Sequence, residues 1–151
     1  MAPFAFDRTW DFPVSPHELW ATISRSDRYT DWWGWLRECD ADGMHVGSVA
    51  RCVVQAPLPY RLRFEIEIDD VAPAELVATT VRGDLEGPAR LELAPFDGGC
   101  RARLAWHLEL RDPVLRRLAL VARPAMTWAH DRVVALGVEQ FERHALPGPV
   151  T

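Results

Sequence analysis

Along the chain the apolar positions recur at two periods, and each period predicts its own kind of element. From Arg8 to Val14 the residues alternate, with Trp10, Phe12 and Val14 on one side, which predicts a first strand ending before Pro16. Ser15, Pro16 and Glu18 then supply an N-cap, an N1 proline and a first-turn acid. Leu19, Trp20 and Ile23 form the apolar side of a short helix reaching about Ser26. Tyr29, Trp32, Trp33 and Leu36 return at helical spacing in a segment too short to hold without tertiary contacts. Beyond it the period is two. Strands are predicted over 36–42, 47–55, 61–69, 75–82, 88–93 and 100–110, with turns at Asp42-Gly43 and Phe96-Asp-Gly-Gly99 and a break at Ala56-Pro-Leu-Pro59. Leu62, Phe64, Ile66 and Ile68 alternate with Arg61, Arg63, Glu65, Glu67 and Asp69, the signature of one buried and one wet face. In the last strand Ala102, Leu104, Trp106, Leu108 and Leu110 are expected to face inward.

The helical period then returns for good. Asp112 caps, Pro113 occupies N1, and a stripe runs through Leu115, Leu118, Ala119, Ala122, Met126, Ala129, Val133, Leu136, Gly137 and Phe141 to about His144. Straight, such a helix would measure about 48 Å. Pro124 removes a ladder bond and clashes with the preceding turn, so a bend is expected between Leu120 and Pro124. The order is strand, two short helices, six strands, long helix, with antiparallel connections throughout. An antiparallel sheet with one wet face must cover the other, and the long helix is the cover at hand. The expectation is therefore an α+β fold, a curved sheet of about seven strands wrapped around the C-terminal helix, as one domain over 1–151 with 147–151 frayed. One helix is narrower than such a sheet, which leaves a cavity lined by apolar side chains.

Composition narrows the function classes. A length of 151 residues with 48% hydrophobic content suffices for one core. The net charge of −5 with no basic block argues against nucleic acid. All 17 basic residues are arginine, which reads as the coding bias of a GC-rich bacterial genome. No apolar run approaches the length of a membrane span, and the start carries no basic stretch followed by an apolar one, so a cytoplasmic protein without a secretory signal is expected. Cys39, Cys52 and Cys100 match no metal spacing and read as reduced, partly buried thiols, with a Cys39–Cys52 bridge as the alternative. No metal motif, phosphate-cradling glycine loop or nucleophile elbow is present, so no cofactor is expected.

Each candidate for chemistry has a plainer reading beside it. Tyr29, Trp32 and Trp33 are either core rings closing one end of the domain or a mobile lid over a ligand. His130 lies at the edge of the apolar stripe, as a general acid/base or as an ordinary hydrogen-bonded histidine. Asp131 projects about 100° away on the helix, so the adjacent pair is not expected to act as a dyad. Asp84, flanked by Gly83, either fixes a turn or partners Arg82 or His130 at the pocket. Arg51 and Arg82 point inward if their strands follow the register of Val53 and Thr80, and into water after a one-residue slip. Tyr60, Trp106 and Met126 suit stacking on an apolar guest, and equally suit a core. With Phe64, Leu118, Ala122 and Val133 they complete the expected ligand-contacting set. His17, His45, His107 and His144 read as surface residues.

The element order resembles the helix-grip fold of the START-like superfamily, in particular bacterial SRPBCC proteins described as polyketide cyclases or dehydrases. The residues carrying the likeness are Ser15-Pro-His-Glu-Leu-Trp20, Tyr29 to Trp33, Gly47-Ser48, Gly83-Asp-Leu-Glu-Gly87, and Arg123-Pro124 through Trp128, His130 and Asp131. The resemblance implies a cavity for a lipid, polyketide, hormone or other apolar molecule, in a superfamily where only some members catalyse a reaction. Three functions follow as expectations. The first is binding of a small hydrophobic or aromatic molecule, by a monomer or homodimer. The second is a cyclase or dehydratase reaction using His130, with Asp84, for proton transfer. The third is a ligand-free interaction module whose aromatic segment packs on a partner.

Overall fold

Strands form wherever the alternation is clean, and from the second to the last their order follows from short antiparallel connections, while the first pairs with the last at the other edge. The computed structural model describes residues 4–41, 43–57 and 60–144. The predicted turn residue Asp42, Leu58 and Pro59 of the predicted break, and the stretch 147–151 lie outside them. Seven strands run β1 (Phe4–Phe12), β2 (Leu36–Asp40), β3 (Val49–Gln55), β4 (Arg61–Ala72), β5 (Leu76–Gly83), β6 (Leu85–Phe96) and β7 (Gly99–Leu110). They form one antiparallel sheet in the order β1-β7-β6-β5-β4-β3-β2. The helices are α1 (Pro16–Ile23), α2 (Tyr29–Trp32) and α3 (Pro113–His144), with a 3-10 turn at Ser26–Arg28.

The local signals work as read. Ser15 accepts from the Glu18 N–H at 3.2 Å and starts α1, and the Asp112 carboxylate accepts from the Val114 and Leu115 N–H groups to start α3. The β6–β7 turn has φ of 49° at Asp97 and 79° at Gly98, the pair of left-handed residues that a tight hairpin needs. Between β5 and β6 a single residue, Asp84, makes the connection. Gly83 on one side has φ of 128°, and a Cβ there would stand 2.7 Å from the Arg63 carbonyl oxygen, so the close pass of β5 over β4 requires glycine.

The outer face of the sheet carries cross-strand ion pairs. They include Asp11 with Arg101 at 2.8 Å, Arg51 with Glu65 at 3.4 Å and Arg82 with Glu67 at 3.2 Å. Arg51 and Arg82 are therefore outward and exposed, which corrects the inward alternative. Val77, Thr79 and Val81 face in from β5, and Cys52 and Val54 from β3, so Arg82 and Arg51, each one residue out of that phase, fall on the wet side. β1 begins at Phe4 rather than Arg8. Arg8 interrupts the apolar alternation and hides Phe4 and Phe6 from a pattern reading.

α3 bends at Ala122, whose φ of −119° and ψ of 30° leave the helical region two residues before Pro124. The bend also shifts the phase of the apolar stripe. Leu115 and Ala119 stay buried before it and Met126, Ala129 and Phe141 after it, but Leu118 is 40% exposed and Val114, Leu120 and Val121 more so. A single 100° wheel drawn through the proline is what placed Leu118 and Ala122 in line with Met126.

Candidate functional site

Sheet and helix do not fill the space between them. The concave face of the sheet and the second half of α3 enclose a cavity of about 540 Å³. The sheet contributes Leu62, Phe64 and Ile66 from β4, Val77, Thr79 and Val81 from β5, and Ala102, Leu104, Trp106, Leu108 and Leu110 from β7. The helix contributes Met126, Ala129, His130, Val133, Val134, Gly137, Val138 and Phe141. All five predicted inward residues of β7 thus reach the cavity.

The aromatic segment after α1 divides its work. Trp32 is buried in the core with Phe12, Leu93, Cys100 and Phe141, and its ring meets Phe141 edge to face at 5.7 Å. It is not part of the cavity wall. Tyr29 and Trp33 do line the cavity, together with Trp35. The Trp33 indole N–H donates to the Gly137 carbonyl at 2.8 Å, and the Trp35 indole N–H to Gln140 Oε1 at 3.1 Å. Two hydrogen bonds therefore clasp this segment to α3. Gly137 permits the clasp, because a Cβ there would lie 3.3 Å from the Trp35 ring. The Tyr29 hydroxyl donates to the Ile23 carbonyl, and burial pushes its pKa upward.

Polar atoms of the wall are mostly already engaged. The Thr79 hydroxyl donates to the Ala89 carbonyl at 2.8 Å. Tyr60 lines the opposite end near Met126 and Leu85, and burial raises its phenol pKa, so the ring enters as a neutral group. Among the described residues, His130 is the one histidine of the wall. Its Nε2 receives the Trp106 indole N–H at 3.1 Å, and its Nδ1 lies 3.1 Å from Asp131 Oδ1. Indole N–H groups only donate, so Nε2 must carry a lone pair and Nδ1 the proton, donated to the carboxylate. Phe4 stacks on the imidazole at 5.5 Å, and Phe6 meets it edge-on at 5.7 Å.

Two expectations about this corner change. Asp131 does orient His130, contrary to the reading from helical angle alone: the side chains lean together although their Cα–Cβ bonds diverge. Asp84 does not join them. Its Oδ2 accepts from the Arg63 N–H at 2.8 Å, its N–H donates to the Arg63 carbonyl at 2.9 Å, and its carbonyl accepts from the Arg111 N–H at 2.8 Å. It is a turn-fixing residue, as its glycine neighbour suggested. Of the expected ligand-contacting residues, Tyr29, Trp33, Tyr60, Phe64, Trp106, Met126 and Val133 line the cavity, whereas Trp32, Arg82, Leu118 and Ala122 do not. Phe4, Trp35, Met44, Val134 and Val138 line it without having been singled out. Val134 and Val138 were within reach of a wheel redrawn from Met126 onward.

Comparison with known proteins agrees with this fold. A family described as polyketide cyclase/dehydrase and lipid transport matches residues 3–145. No curated protein matches the chain. Among solved structures, a protein of Thermus thermophilus superposes with a TM-score of 0.73 at 15% identity, covering 92% of this chain and 94% of that one. A START superfamily protein from Mycobacterium smegmatis gives 0.72 at 14% identity, with coverages of 93% and 96%. The Zhui aromatase/cyclase from Streptomyces sp. R1128 gives 0.67 at 15% identity, with 98% and 99%. At these identities the likeness is one of fold, the helix-grip arrangement. Among the described residues, no helix is long and apolar enough to cross a membrane.

Proposed function

Because the chain belongs to the polyketide cyclase/dehydrase and lipid transport family, we propose that it binds a small hydrophobic or aromatic molecule in the cavity between sheet and α3. The observation that carries the reading is the cavity itself: about 540 Å³ walled mainly by aliphatic and aromatic side chains, with the indole N–H groups of Trp33, Trp35 and Trp106 and the Thr79 hydroxyl bonded within the protein. That volume lies in the range of small-molecule sites. A guest gains mainly from apolar burial and from stacking on Trp33, Trp35 and Trp106. Native mass spectrometry of the protein as purified from cells tests this. An apolar molecule released on denaturation supports it, and a protein that comes empty and stays empty on incubation with lipid and aromatic extracts counts against it.

The cyclase or dehydratase alternative draws support from one contact, the carboxylate of Asp131 on His130 Nδ1. A carboxylate in that position holds the imidazole in the tautomer that leaves the lone pair on Nε2. Against it, the lone pair on Nε2 is taken by Trp106. Proton abstraction would first require the indole to swing away. Turnover of a polyketide-like substrate that is lost in His130→Gln would favour this reading.

A further inference from the structure

Two cysteines that take no part in the cavity wall face each other at the rim of the sheet. Cys39 in β2 and Cys52 in β3 are direct register partners on neighbouring antiparallel strands. Directly opposed residues of an antiparallel pair have Cα atoms about 4.5 or about 5.5 Å apart. Both spacings fall in the roughly 4.4–6.8 Å that a disulfide spans. The two side chains leave the same face, so little backbone motion separates the dithiol from the bonded form. β2 is the terminal strand, five residues long, with a register shift between Leu36 and Glu38. It has a single strand neighbour and yields more readily than an interior strand.

The two thiols are unlike in the way a sensing pair requires. Cys39 is half-buried, whereas Cys52 is 7% exposed and packed with Leu36, Val54, Leu62 and Phe64. The neighbouring Cys52 thiol holds the Cys39 thiol below the usual thiol range, against the opposing effects of burial and of Asp40, while Cys39 and burial together push the Cys52 thiol up. Reactive cysteines are accessible thiols of lowered pKa with a resolving partner beside them. Cys100, the third thiol, is fully buried in a different cluster.

We propose that Cys39 and Cys52 form a reversible dithiol–disulfide site that accepts a two-electron oxidation from a hydroperoxide. The Cys39 thiolate attacks one peroxide oxygen, the O–O bond breaks, and the departing alkoxide or hydroxide takes up the proton that Cys39 gave. Cys39 is then a sulfenic acid. Cys52, losing its proton, attacks the Cys39 sulfur. The S–S bond forms and hydroxide leaves as water with the Cys52 proton. Two thiols and one hydroperoxide give one disulfide, one alcohol or water, and one further water. The ring so closed carries Met44, and Tyr29, Trp33 and Trp35 pack on the same cluster, so the bond fixes the cavity wall at this edge.

The proposal does not depend on what occupies the cavity, and neither does its test. The reduced full chain is treated with equimolar hydrogen peroxide, alkylated, weighed intact and peptide-mapped. The expected result is a mass ~2 Da lower before alkylation, a linked Cys39–Cys52 peptide, one alkylatable thiol, reversal by dithiothreitol, and a Tm higher by roughly 5–10 °C. Cys100→Ala keeps the linkage, and Cys39→Ser and Cys52→Ser each lose it. Three alkylatable thiols after treatment would overturn the proposal. So would a Cys39 sulfinic acid beside a free Cys52, or a bond found only between chains. Should one variant fold poorly, the wild-type peptide map decides alone.

Discussion

The indole N–H of Trp106 in β7 donates to Nε2 of His130 in α3 across 3.1 Å, bridging sheet and helix at the cavity wall. The bond fixes the imidazole tautomer, and Asp131 holds the other nitrogen. Substituting Trp106 by Phe keeps an aromatic surface and deletes the donor, leaving a half-buried acceptor without its partner. Urea denaturation should show a loss of about 1–2 kcal/mol. Affinity for an apolar probe should change by less than about threefold, because phenylalanine keeps an aromatic face on the cavity wall.

Asp84 separates the structural from the catalytic account. Its carboxylate caps the Arg63 N–H at the β5–β6 connection. Asp84→Ala should therefore cost about 1–2 kcal/mol in unfolding free energy, read from denaturant titration, with probe binding unchanged. A loss of binding at unchanged stability would return Asp84 to the site.

At Gly87 the β6 backbone passes close to that of β7. A Cβ there would stand 2.0 Å from the His107 carbonyl oxygen, and φ is 147°. Gly87→Ala should destabilise by about 3 kcal/mol or more, at the upper end for single substitutions. Calorimetry checks it, and a Tm within a degree of wild type would show that the strands separate easily there.

Acid should loosen β1 first. Hydrogen bonds from Arg103 and Arg101 hold the Asp7 and Asp11 carboxyls below their usual 3.8. A carboxyl whose pKa is lower folded than unfolded contributes stability that is present above the unfolded value. That contribution is lost as pH falls through the folded one. Amide exchange of β1 should accelerate below about pH 4 before that of β4. Asp7→Asn with Asp11→Asn should flatten this difference. Both aspartates are exposed, so the effect is local and fades in salt.

Much of the fold is readable because its signals are local. Caps at Ser15 and Asp112, the Asp97-Gly98 turn and the alternation of β4 and β7 each depend on a few neighbouring residues. The site was less readable because it depends on phase and on side-chain reach. The bend at Ala122 shifts the stripe, which removes Leu118 from the wall and brings Val134 and Val138 into it. Arg8 breaks the alternation that would have revealed Phe4. The Asp131 contact with His130 arises from side-chain torsions, which a helical wheel does not contain. The outward Arg51 and Arg82 depended on strand register, which one residue of slip reverses.

The central claim is that the space between sheet and α3 admits an apolar guest. Titration of the folded protein with N-phenyl-1-naphthylamine, read as energy transfer from Trp33, Trp35 and Trp106, tests it most directly. Saturable one-to-one binding in the micromolar range is predicted, weakened at least about tenfold by Val133→Trp, which projects an indole from α3 into the cavity while circular dichroism stays native. Absence of saturation in the wild type, or equal binding by Val133→Trp, would contradict it.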